Sequence, residues 1–110
     1  MANINVSWTT NPADTSDIDS YEVYVCDATA TGHFTTAAEL QTKLDAIQGG
    51  QTPASQGLVL VESITDLTAK TISNPYSTPA DGTYHFGVAA KNQGGFKVED
   101  DTSVGSVVVG

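Results

Sequence analysis

Polar and apolar positions alternate along residues 3–9, where Ile4, Val6 and Trp8 stand between Asn3, Asn5, Ser7 and Thr9. A period of two marks a strand with one buried face. Residues 10–19 are loop chemistry, with Pro12 among Asn, Asp, Ser and Thr. Alternation returns at 20–26, with Tyr21, Val23 and Val25 on one face and Glu22, Tyr24 and Cys26 on the other. The period then lengthens. Thr36 and Glu39 form a capping box, Ala37, Leu40, Leu44 and Ile47 follow at helical spacing, and Gly49-Gly50 is a stop signal. The spacing predicts a helix over 36–48, about three turns long, flanked by polar loop at 27–35 and 49–57. Strands resume at 58–64, at 69–73 with Ile72 inward, and at 83–91. In the last, Tyr84, Phe86, Val88 and Ala90 oppose His85, Gly87 and Ala89. Residues 74–82 read as a turn region, Gly94-Gly95 as a bend that residues 96–98 extend as a ribbon, and 104–109 as a final strand. Strands separated by turn signals at short intervals point to an all-β sandwich.

Composition narrows the function classes. The 110 residues carry 13 acidic and 4 basic side chains, a formal net charge of -9, and the bases are all lysine. A nucleic-acid module needs a basic stripe to displace counterions, so nucleic acid is not an expected partner. Anionic membranes repel the same charge, and no apolar run approaches the roughly 20 residues of a span. The single cysteine, Cys26, has no partner for an internal disulfide. Residues 1–5 lack a basic region followed by an apolar one, so no secretory signal is expected there.

The chain resembles a fibronectin type III domain. Trp8 ends the first strand as it does the second strand of that family. Residues 17–25 (Asp-Ile-Asp-Ser-Tyr-Glu-Val-Tyr-Val) look like its third strand and approach, and 69–73 its fifth. Residues 79–92 look like its corner and sixth strand, and 103–109 like its last. The resemblance covers about 80 residues and implies a single immunoglobulin-like β-sandwich over 1–110. Trp8, Tyr21 and Tyr84 would be structural, with the Tyr84 hydroxyl bonded to upstream backbone. Two departures stand out. The sequence starts at the family's second strand, so the first is either cropped away or absent; if it is absent, strand 3–9 is left an edge that is either covered or filled by a partner. An insertion at 27–57, holding the helix, stands between the third and fourth family strands. Its apolar stripe either packs back on the sandwich or docks a partner.

The topology implied by the resemblance gathers Asp14, Asp17, Asp19, Asp66, Glu99, Asp100 and Asp101 at one pole, with the helical insertion at the other. Asp14, Asp17, Asp19, Asp100 and Asp101 are then candidate Ca²⁺ ligands, although their spacing matches no EF-hand loop. The same acids suit a basic partner or a solvated surface. Neither a cofactor nor a catalytic constellation is expected. His33 and His85 share no motif, and Cys26, on an outward face beside Glu22 and Asp27, lacks the positive charge that activates a thiol. Candidate partner-binding residues are Ile4 and Val6 on the edge, Leu40, Leu44 and Ile47 on the helix, and Phe34 and Phe96. With Tyr24, the last two are expected to be exposed rings.

These readings converge on a non-catalytic structural or binding module with protein partners in an oligomeric assembly. By analogy with similar domains, the expectation is a bacteriophage virion component, a capsid decoration or tail protein made in the host cytoplasm. The alternative is an extracellular accessory domain of a secreted enzyme or adhesin, acting as a spacer or binding a cell-surface glycan.

Overall fold

The computed structural model describes residues 3–8, 18–27, 33–99 and 101–110. The chain is mostly β, with two sheets and one α-helix among these residues. Strands β1 (Asn3–Ile4) and β4 (Tyr76–Ser77) pair antiparallel, and a bridge between Ser7 and Thr71 continues that sheet. The second sheet has five strands: β2 (Ser20–Asp27), β3 (Val59–Ile64), β5 (Gly82–Asn92), β6 (Gly95–Lys97) and β7 (Val104–Val109). Its order begins β3-β2-β5. The far side of β5 is then shared, with β6 pairing at residues 90–92 and β7 at 82–87.

Alternation places the first core. Ile4, Val6 and Trp8 of one sheet meet Tyr21, Val23, Val25, Tyr84, Phe86 and Val88 of the other, with Ile72 and Ile64 closing the layer. The exposed residues between them, Asn3, Asn5 and Ser7, are the polar ones. The Tyr84 hydroxyl donates to the Ala80 carbonyl at 2.8 Å, the upstream backbone bond expected of it. This fixes the corner before β5 at a cost of no unpaired hydroxyl.

The strand expected at 69–73 is reduced to the Thr71 bridge, and pairing resumes at β4, inside the stretch that reads as turn. The backbone explains the break. Lys70 takes a left-handed φ of 54°, and Pro75 has no N–H to give to a ladder.

The larger correction concerns the helix α1 (Ala37–Gln48). It does not stand at a pole of the molecule opposite the acids. It lies across the outer face of the five-stranded sheet and beside β6. Phe34, Leu40 and Leu44, each at 0 % exposure, pack there against Tyr24, Cys26, Leu58, Ala89 and Val98. Both faces of β2 and of the middle of β5 are therefore buried. Gly87 makes the close approach possible, since a Cβ there would collide with Leu40 and press on Phe34. Each such side chain is worth about 1.5–3 kcal/mol when withdrawn from water.

Two caps hold the start of α1. The Thr36 hydroxyl accepts from the Glu39 N–H and the Glu39 carboxylate accepts from the Thr36 N–H, both at 3.2 Å. From the far end of the chain, Asp101 Oδ1 accepts from the Ala37 N–H at 2.9 Å. The Gln41 amide clasps β6 and its exit, donating to the Phe96 carbonyl and accepting from the Val98 N–H, each at 2.8 Å. The helix is thus stitched to Phe96, Val98 and Asp101.

Candidate binding groove at an open sheet edge

The covered outer face has an uncovered counterpart. The stretch 4–8 and the strand β7 face each other without pairing, and a groove of about 270 Å³ runs between them. One wall is Ile4 to Trp8 and the other Thr102 to Val107, while Phe86 and Val88 line it from the core.

The pairing register shows why the groove is open. Val107 lies opposite Tyr84 on β5, so the two side chains point to the same side of the sheet, toward the core. Tyr84 is 2 % exposed there, and Val107 is 38 % exposed. The inner face of the sheet extends past the cover that the first sheet provides. On the opposite wall, the Trp8 N–H donates to the Lys70 carbonyl at 2.9 Å and the Val6 carbonyl accepts from the Ile72 N–H at 3.0 Å. Peptide groups alternate sides along a strand. The N–H and C=O of Ser7 therefore point away from 70–72, toward the groove.

Trp8 adds a second feature. It lines the groove and also an adjoining cavity of about 20 Å³, which it shares with Tyr21, Glu99 and Ser103. Its ring meets Tyr21 edge-on at 5.6 Å. The residue is 8 % exposed, and its indole N–H is buried without an acceptor among the described residues. An unmade bond of that kind costs about 1–3 kcal/mol.

The residues expected to form sites divide sharply. Ile4 and Val6 line the groove. Leu40, Leu44 and Phe34 do not form a partner surface: they are sealed between α1 and the sheet, and Ile47 packs partly buried against them. Tyr24, expected to be exposed, is 2 % exposed and meets the half-buried ring of Phe96 edge-on at 6.3 Å. Burial first, and then the Glu22 carboxylate, push the Tyr24 hydroxyl up to about 12. Cys26 also faces the helix rather than solvent, and burial raises its thiol above the ordinary range. A raised pKa leaves less of the thiolate that a nucleophile needs. His85, read as a surface residue, is half-buried with its ring stacked on His33 at 5.0 Å.

Four of the seven acids expected at one pole, Asp19, Asp66, Glu99 and Asp101, fall within the described residues. Asp14, Asp17 and Asp100 lie outside the described residues. Asp101 is engaged at the helix start, Asp66 accepts from the Thr68 N–H and hydroxyl in a turn, and Asp19 is exposed at the head of β2. Among the described residues, no group of three or more His, Cys, Asp or Glu side chains is placed to hold a metal ion.

Sequence reasoning missed Val107 and Val108, the latter 74 % exposed, and Val59 and Leu60 on the opposite edge strand, at 51 % and 43 %. A signal was present in the run Val107-Val108-Val109, since consecutive apolar residues on an edge strand cannot all face one core. No family model, curated protein or solved structure matches the chain.

Proposed function

We propose that the protein is a non-catalytic binding module that docks on a larger protein assembly, as a capsid decoration or tail component of a phage virion. The observation that carries the docking role is the groove, where an inward-facing valine and the rim of the core are left uncovered beside a strand edge. Edges of this kind are templates for association. The buried, high-pKa thiol of Cys26 is consistent with a scaffold rather than a nucleophile. We read the two packed sheets as a fibronectin type III-like sandwich that carries α1 as an insertion. The strand order, the Tyr84 to Ala80 bond and the position of Trp8 support that reading.

Mass spectrometry of purified particles tests the role. The protein should be present in fixed stoichiometry with the shell or tail subunits. Its absence from particles, or neighbouring reading frames that encode a glycosidase, would sink the virion assignment.

A further inference from the structure

The groove has properties that specify its occupant. Its walls are two strand edges that run alongside each other without pairing. Ser7 offers a donor and an acceptor from one wall, in the spacing of a sheet ladder. Ile4 to Trp8 spans about 16 Å at roughly 3.3 Å per residue, the length of an extended segment of five residues. The interior is apolar at Phe86, Val88 and Val107, while Asn5, Ser7 and Ser106 make the rim polar. A segment with alternate apolar residues satisfies both. Trp8 holds a buried N–H that lacks an acceptor among the described residues, and an added strand brings carbonyl groups past it.

Charge selects among possible strands. The chain has a net charge of -9. Three of its four lysines are already engaged: Lys43 donates to the Gln56 carbonyl, Lys70 to the Tyr21 hydroxyl, and Lys91 pairs with Glu22 at 3.7 Å. A second copy carries the same net charge of -9, so its approach is opposed by the charge of the whole chain rather than of the groove, whose lining residues carry no charge. A basic segment is attracted.

We infer that this groove accepts an extended, lysine- or arginine-bearing segment of a partner protein as an added strand, hydrogen-bonded to the edge at Ser7 with its alternate apolar side chains seated on Phe86 and Val88. The inference rests on the docking role proposed above and names the chemistry of the partner. Main-chain bonds supply affinity in this mode, and the pockets for alternate side chains supply selectivity.

The probe is a synthetic peptide of alternating valine and threonine with lysines at both ends, titrated into the full, isotope-labelled chain and followed by NMR. The chain has one tryptophan, so its indole N–H signal reports on the groove without ambiguity. The expected result is saturable shifts at Asn5, Ser7, Ser106, Val107 and the Trp8 indole, with slowed exchange of the Ser7 amide. Added salt, or glutamates in place of the lysines, should weaken binding. Ser7→Pro removes the donor on the open side and leaves the bonds to 70–72 in place. Val107→Lys puts a charge in the apolar interior. Each should weaken binding at least about tenfold, a loss of about 1.4 kcal/mol, while Val59→Lys on the far edge should not. Melting curves identify any variant that misfolds, and the two groove variants act on different walls.

Three outcomes overturn the inference: no shift at the Trp8 indole, shifts confined to Val59 and Leu60, or concentration-dependent dimerisation of the chain alone that moves the same groove signals. The last would make a second copy the occupant. Peptide binding reads the groove and particle composition reads the assembly, so the two proposals fail separately.

Discussion

The two faces of the five-stranded sheet are finished differently. The outer face is closed by α1, with Phe34, Leu40 and Leu44 fully buried and the helix start bonded to Glu39 and Asp101. The inner face is closed by the first sheet only as far as the stretch 4–8, and alongside it β7 keeps Val107 in contact with water. A chain able to build a capped helix over one apolar surface has left another uncovered. The difference separates structure from function. The helix and the segment before it, which look like an addition, are core, and the exposed edge, which looks like ordinary sheet, is where there is room for a further strand.

The contrast breaks most sharply at Phe34. Phe34→Ala should cost about 3–5 kcal/mol in a denaturant titration, as expected for a buried aromatic. A loss below about 1 kcal/mol would mean that the helix only rests on the sheet. Thr36→Ala removes half of the capping box and should cost about 1 kcal/mol, seen as a lower melting temperature with the strand signals unchanged.

A pH titration sharpens the same side of the comparison. Burial, then the adjacent His33, hold the His85 imidazole below its ordinary 6.5, with Glu39 opposing. The unfolded chain therefore takes up this proton first. Stability is complete above pH 6.5 and declines as the pH falls through the lower folded value. His85→Gln should flatten that decline. Hydrogen bonds from Thr35 and then Thr36 hold the Glu39 carboxyl below its ordinary 4.5. Its contribution is present above 4.5 and is lost only as the pH falls through the lower folded value, so the two acid-side steps are separable.

The smallest effect belongs to the open edge. Val107→Thr should change stability by no more than about 0.5 kcal/mol, the range of exposed positions. A cost near that of Phe34→Ala would show the groove to be closed in solution and remove the contrast.

Local pattern was enough for much of this. The alternation of Ile4, Val6 and Trp8, of Tyr21, Val23 and Val25, and of Tyr84, Phe86 and Val88 specified three inward faces, because side chains on a strand point alternately to its two sides. Thr36 and Glu39 specified the helix start, because a capping box is completed within four residues. Gly87 and Ala89, small residues on the face opposite Phe86 and Val88, also carried a legible hint that something approaches that face closely.

Other features depend on segments distant in the chain. Tyr24 and Cys26, on the face they share with Glu22, have a polar look that suits solvent, and only the return of α1 and Phe34 across them buries them. Asp101 reads as one more surface acid until it meets the N–H of Ala37, 64 positions away. Which residues turn inward and where the helix begins follow from local periods of two and 3.6 residues, because each side chain's direction is set by its place in the repeat. Which of the apolar faces are covered is set by the packing of distant elements, because coverage depends on how far each one reaches across its neighbour.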